Sequence, residues 1–213
     1  MKELIIVGAG NVAREVLQIA KDVNLVKQTW KIKGFIADTG LDIHALTNGD
    51  FEIIGTIMDW KPKENEEFVC AIADPKGREQ VVNKLLGRGA KFVNLIHPTV
   101  RLNDYCKIGN GTIFYPAVYV GPNAIIGNYI FLQSGIAHDC EIGDFTTISG
   151  GCGITGGVKL GKRVFVANGV RVVPKTNIGD NAYISIGSVI FTNVDPNTKV
   201  YTIPHEIRAL NRL

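Results

Sequence analysis

Ile142-Gly143-Asp144-Phe145-Thr146-Thr147-Ile148-Ser149-Gly150-Gly151-Cys152-Gly153-Ile154 sets an aliphatic residue at every sixth position, with smaller residues, Thr146 and Cys152, four places after Ile142 and Ile148. Followed outward, the same period runs through Ile96, Leu102, Ile108, Phe114, Val120, Ile126 and Leu132, and again from Ile142 through Leu160, Val166, Val172, Ile178, Ile184 and Ile190. None of these positions holds a polar side chain. A six-residue unit with two inward side chains is one short strand plus a corner, so three units close a triangular coil and stacked coils share one core. The spacing therefore predicts a parallel β-solenoid. An antiparallel sandwich would space its strands by about 8–12 residues with varied loops. Gly109, Gly121, Gly127, Gly143, Gly161 and Gly179 directly follow large inward residues, which suits a corner of positive φ.

Before residue 96 the pattern differs. Leu4-Ile5-Ile6-Val7 reads as a strand that breaks at Gly8-Ala9-Gly10, after which Val12, Val16, Ile19, Ala20 and Val23 fall on one helical face. Lys31 to Ile36 reads as a second strand ending at Ala37-Asp38, and Phe68 to Ala73 as a third. A helix with Val81, Val82, Leu85 and Leu86 on its apolar stripe then stops at Gly87, and Lys91 to Leu95 reads as a last strand. Strands separated by helices imply a parallel α/β sheet, whose ligands sit at the carboxyl ends of the strands. The Gly8-x-Gly10-x-x-Ala13 turn between strand and helix has the context of a dinucleotide fingerprint, with Asp38 where a ribose-binding acid would stand. A Rossmann oxidoreductase would also need a hydride-transfer domain, which a solenoid does not supply.

Composition narrows the partners. Among 213 residues, Lys plus Arg is 23 and Asp plus Glu is 20, too balanced for a field that would hold nucleic acid or an anionic membrane. The apolar run after Met1-Lys2-Glu3 is too short for a signal peptide or a membrane span. Cys70, Cys106, Cys140 and Cys152 show no C-x-x-C spacing, which makes a reduced, cytoplasmic protein the expectation.

The frame breaks after Leu132. The next inward position would be His138, yet the period restarts only at Ile142, ten residues on, so four extra residues are expected to bulge outward as a loop. Functional residues concentrate in loops held by rigid scaffolds. Asp139 follows at once, and Cys140 beside it is a competing nucleophile. An amine or hydroxyl attacking a thioester must lose a proton, and histidine, with a pKa near about 6.5, suits that task. An adjacent carboxylate can fix the imidazole tautomer. A metal-dependent solenoid enzyme of the γ-carbonic anhydrase type would need three histidine ligands. Of His44, His97, His138 and His205, only His97 and His138 lie in the repeat, so no metal is expected.

Ile126-Gly127-Asn128 through Val166-Ala167-Asn168-Gly169 resembles the hexapeptide-repeat acyltransferases. With Gly8-Ala9-Gly10-Asn11, Arg14-Glu15, Ile54-Gly55-Thr56 and Asn94-Leu95-Ile96-His97-Pro98, the whole chain resembles the branch that groups sialic-acid O-acetyltransferases with N-acetyltransferases of nucleotide-linked 4-amino sugars. The resemblance implies a left-handed parallel β-helix over 96–213 behind a Rossmann-like, nucleotide-sugar-binding domain over 1–95. It implies transfer of acetyl from acetyl-CoA, with His138 as general base and Asp139 as its orienter. It places Gly156 at the acetyl-CoA site with Thr147 close by, and Ala167 and Gly187 along the pantetheine groove. Gly8, Gly10, Asn11 and Asp38 would receive the nucleotide sugar, its pyrophosphate favoured by the helix N-terminus. Gly150-Gly151-Cys152-Gly153 and Gly156-Gly157 offer amides for a developing oxyanion. Lys159, Lys162, Arg163, Arg171 and Lys175 are candidates for coenzyme phosphates, against a reading as solvated coil faces. A homotrimer with coenzyme between neighbouring solenoids is also implied. Two departures stand out: the first turn lacks the Ser-Gly-His-Gly-Lys form of bacillosamine-type relatives, and Thr202-Ile203-Pro204-His205-Glu206 replaces the usual Gly-x-Pro-Ala-Lys tail. The rival activities are O-acetylation of a sialic acid or another sugar hydroxyl and, from another class, a non-catalytic nucleotide-binding trimeric scaffold.

Overall fold

The computed structural model describes residues 1–201; the divergent segment Thr202–Glu206 lies outside them. Strand β1 (Lys2–Ala9) enters helix α1 (Asn11–Val26) through Gly10, and β2 (Trp30–Gly40), α2 (Ile43–Leu46), β3 (Ile53–Gly55), β4 (Glu66–Cys70) and α3 (Pro75–Leu86) follow. The four strands form one parallel sheet in the order β3-β2-β1-β4. Leu4 to Val7 are wholly buried because both faces of β1 are covered, as expected for a central parallel strand. Asp74 caps α3 by accepting from the Gly77 amide at 2.7 Å, with Pro75 in its first turn.

One expectation about the sheet is corrected here. Residues 91–95 do not complete the sheet: Phe92 makes a single bridge to Phe68, and Leu95–Ile96 is already the first strand of the solenoid. The fourth strand is instead β3, three residues long and too short to show a period.

From Leu95–Ile96 to Lys199–Val200 the chain winds as a left-handed parallel β-helix of two-residue strands on three faces. The first face stacks seven strands from Leu95 to Lys199, and the third stacks five from Lys107 to Asn177. The second face runs from Arg101 to Ile190, with Ile136 bridging Val120 and Ile154 at its middle. The large inward positions from Phe114 to Ile190 are at most 4% exposed and form one continuous core, whereas Leu102, near the start of the solenoid, is 40% exposed.

The break in the frame is a contraction, and it occurs twice. Phe131 pairs with Thr147, sixteen residues on, where neighbouring coils pair at eighteen, as Ile113 does with Phe131. Ile136 takes the large inward position four residues after Leu132, Cys140 takes the small one, and Ile142 follows six after Ile136. The expected four-residue outward loop is absent from this coil. Tyr183 to Lys199 repeats the sixteen-residue spacing, with Val194 in the large position.

The glycines after the large residues also have another cause. Positive φ falls two positions later, at Asn123, Tyr129, Asp139, Phe145, Gly151, Gly169 and their equivalents. Gly109 and Gly143 are glycines because a Cβ would lie 2.6 Å from the Gly127 carbonyl oxygen and 2.5 Å from the Gly161 carbonyl carbon of the next coil.

Candidate active site

The β1-α1 turn opens the first site. Gly8 has φ +100°, and a Cβ there would stand 3.1 Å from Ile72. Gly10 precedes α1 with no side-chain cap, so the first amides of the helix are left for a ligand. Asp38 stands near the carboxyl end of β2, where its Oδ1 accepts from the Met58 amide at 2.9 Å. Gly8, Gly10, Asn11 and Asp38 all line one cleft of about 480 Å³, closed on the other side by Ala71–Ala73 and Val81. Among the described residues Asp38 is the only charged side chain lining it, so an anionic group is left to backbone amides and the helix dipole.

The second cluster occupies the corner after Ile136. His138 is exposed, and its Nδ1 lies 2.7 Å from Asp139 Oδ2. Asp139 adopts φ +59°, and its Oδ1 accepts from Asn123 Nδ2 at 3.1 Å. The hydrogen bond from His138, then that from Asn123, hold the Asp139 carboxyl below its ordinary range. An ionised Asp139 selects the tautomer with the proton on Nδ1, leaving the Nε2 lone pair free. One coil on, the Gly157 amide donates to the His138 carbonyl at 2.9 Å. A Cβ on Gly156 would lie 2.5 Å from the imidazole Nε2, so a side chain there would displace the ring from this position. The Gly156 amide has no hydrogen-bond acceptor among the described residues.

The remaining predicted residues fall elsewhere. Cys140 is fully buried in the solenoid core, its thiol donating to the Thr155 carbonyl at 3.2 Å and its pKa pushed up by burial; it is a core residue with no access to substrate. Thr147 is 1% exposed at the seam between the two halves, its hydroxyl donating to the Ala73 carbonyl at 2.7 Å, and so has no surface to offer a coenzyme. Ala167 and Gly187 lie on the edge after the first face, whereas His138 and Gly156 lie on the edge after the second, so one chain does not bring the two pairs together. Lys159, Lys162 and Arg163 pair with Glu141, Asp144 and Glu79. Arg171 turns to the carbonyl groups of Gly151 and Gly169, and Arg171 and Lys175 have no acidic partner among the described residues. His97 Nε2 lies 3.3 Å from Asp22 of α1, so the junction motif ties the two halves.

Sequence reasoning missed Arg78. It lies on α3 at 1% exposure, in step with Val82 and Leu85 on the buried stripe, and that register was the signal that could have found it.

Comparison with known proteins bears on both halves. The family described as the PglD N-terminal domain matches residues 3–85. GDP-perosamine N-acetyltransferase of Escherichia coli O157:H7 is 33% identical over 150 residues, covering 69% of this chain and 59% of that protein. The chain thus spans about three fifths of that relative's length. Serine acetyltransferase of Staphylococcus xylosus is 30% identical over 152 residues, covering 63% of this chain and 70% of that protein. Among solved structures, PerB from Caulobacter crescentus in complex with CoA and GDP-perosamine superposes with a TM-score of 0.82 at 21% identity, covering 98% of each chain. That last likeness is one of fold.

Proposed function

Since the chain belongs to the hexapeptide-repeat acetyltransferases, in the branch carrying a PglD N-terminal domain, we propose that it moves the acetyl group of acetyl-CoA to the amino group of a nucleotide-linked amino sugar. Residues 1–95 bind the acceptor and residues 96–213 carry out the transfer. The observation that carries this reading is the His138–Asp139 pair, held at a surface corner with Nε2 free and a bare glycine backbone against the ring.

The amine nitrogen attacks the thioester carbonyl carbon while His138 Nε2 takes the amine proton. Asp139, already ionised, stabilises the imidazolium that forms. The carbonyl oxygen gains negative charge and meets the Gly156 amide, a donor fixed before reaction by the stacked coils. Collapse breaks the carbon–sulfur bond, the amide forms, and the thiolate leaves with the proton held by His138. No covalent enzyme intermediate is required. Gly8, Gly10 and Asn11 present the amides that hold the pyrophosphate, and Asp38 accepts from a ribose hydroxyl.

Assembly as a homotrimer belongs to the same proposal, with coenzyme A between one protomer's His138 edge and its partner's edge bearing Ala167 and Gly187. A cytoplasmic location accords with four free thiols, the state a reducing compartment maintains.

The test is incubation with acetyl-CoA and a panel of UDP-, dTDP-, GDP- and CMP-linked sugars, following release of free thiol, with GDP-perosamine at the head of the panel. Thiol release dependent on a 4-amino sugar supports the reading. Release with hydroxyl sugars alone would move O-acetylation ahead, and no release with any acceptor would favour the scaffold.

A further inference from the structure

The guanidinium of Arg78 is buried between the two halves and touches no carboxylate among the described residues. Toward the first half, Nη1 donates to the carbonyls of Ile72 and Ala73 at 2.7 and 3.0 Å. Toward the solenoid, Nε donates to the Tyr129 carbonyl at 2.8 Å, and Nη2 to the carbonyls of Phe145 and Thr146 at 2.6 and 3.2 Å and to Thr147 Oγ1 at 3.0 Å. Thr147 Oγ1 in turn donates to the Ala73 carbonyl, which closes the network on itself. Burial pushes the Arg78 pKa down to about 10, so the group stays protonated at neutral pH.

An anchor between domains does not need a buried charge. The same seam already holds Phe92 of the first half against the Tyr129 edge at 5.7 Å, with Tyr129 stacked on Phe145 at 4.9 Å on the solenoid side, so apolar area already joins the halves. What a planar five-donor fork adds is direction, because each carbonyl must approach from a fixed angle. The two ends of this network lie at the two places where the proposed reaction needs alignment. Ile72 and Ala73 form a wall of the cleft that contains Gly8, Gly10 and Asn11. Tyr129 and Thr147 bracket the contracted coil that carries His138.

Resting on the proposed acetyl transfer, we infer that Arg78 is a positioning residue, which holds the wall of the acceptor cleft in fixed register with the coil of His138. A misplacement of about 1 Å between a bound substrate and its catalytic group can cost about 10²-fold in rate. Loss of Arg78 therefore acts on kcat and leaves the two binding sites, each built within one half, nearly intact.

The experiment compares wild type with Arg78→Lys, Arg78→Met and, as a milder change in the same network, Thr147→Val. Glu79→Gln is the control, since it breaks a partly exposed pair with Arg163 at the same seam. Steady-state kinetics with acetyl-CoA and GDP-perosamine, calorimetric binding of GDP, and hydrogen–deuterium exchange are measured on each folded protein. For Arg78→Met the expected result is a fall in kcat of about 10- to 100-fold, with GDP binding and the acetyl-CoA KM within about threefold and an unshifted pH profile. Exchange should rise at 71–75 and 129–147 and not at 165–190. Lysine should recover part of the loss, Thr147→Val should lie between it and wild type, and Glu79→Gln should match wild type. A folded Arg78→Met protein with kcat within threefold, or one whose loss tracks only the unfolded fraction, overturns the inference, as does an equal loss in Glu79→Gln. Should Arg78→Met fail to fold, Arg78→Lys and Thr147→Val decide by the same criteria. A wild type that transfers to no acceptor sinks the proposed function instead, and exchange at 71–75 and 129–147 alone then decides whether Arg78 fixes the register.

Discussion

Replacing Gly143 by alanine separates two explanations for the glycines that follow the large inward residues. If these positions need glycine for backbone freedom, Gly143→Ala and Gly151→Ala should cost alike. The structure says otherwise. Gly143 has an ordinary φ, but its added Cβ would lie 2.5 Å from the carbonyl carbon of Gly161 in the next coil. Ordinary contact begins near 3.4 Å, so the coils would have to part by almost an ångström at a point where Gly143 N donates to the Leu160 carbonyl at 2.8 Å. Overpacking against backbone costs typically about 1–3 kcal/mol and more where nothing can yield, so about 3 kcal/mol is expected. Gly151, at φ +71°, has no heavy atom nearer than 3.9 Å to an added Cβ. Its alanine bears only the left-handed backbone cost of roughly 1–2 kcal/mol. At about 2–4 °C per kcal/mol for a chain of this size, thermal unfolding should fall by roughly 6–12 °C for Gly143→Ala and by roughly 2–8 °C, one to two thirds as much, for Gly151→Ala. Equal shifts, or a larger one for Gly151→Ala, would refute the stacking argument.

Two further outcomes follow from the site. Asp139 is held below the ordinary carboxylate range, so it stays ionised throughout the pH range in which imidazole titrates and the kcat profile should show one rising limb. Asp139→Asn should lower the apparent pKa of that limb and reduce kcat by less than removal of the histidine does; a limb that moves upward would contradict the orientation assigned to the pair. Cys140→Ser should leave kcat within about twofold while lowering stability by about 1–3 kcal/mol, because a hydroxyl replaces a thiol inside the core. A loss of kcat in stably folded Cys140→Ser would reinstate the cysteine as nucleophile.

The solenoid was legible because its inward positions are aliphatic at a fixed interval, and stacked coils demand that repetition. The contraction was not legible. Leu132 to Ile142 spans ten residues, which reads equally as six plus four in either order. Ile136 in the large position and Cys140 in the small one distinguish the orders only once Val120 and Ile154 are seen beside Ile136. His138 therefore stood out for a wrong reason: it sits at an ordinary corner of a shortened coil. The first cleft was legible because glycines and an acid at strand ends carry backbone geometry in their identity. Thr147 and Arg78 were not, since their partners, the carbonyls of Ala73, Tyr129 and Phe145, leave no trace in residue type. The glycines of the corners were seen, but their cause was hidden in the approach of coils eighteen residues apart.

The central claim is that the exposed imidazole of His138 takes the acceptor proton. Its most direct test is kcat for thiol release by His138→Ala, with the acceptor found in the sugar panel and under conditions where chemistry limits the rate. The side chain is exposed and lies outside the core, so the variant should fold and assemble as wild type does. The account predicts a fall of about 10²- to 10⁴-fold with little change in either KM, because the lost interaction exists chiefly in the transition state. A folded His138→Ala protein that keeps kcat within about fivefold of wild type would contradict it.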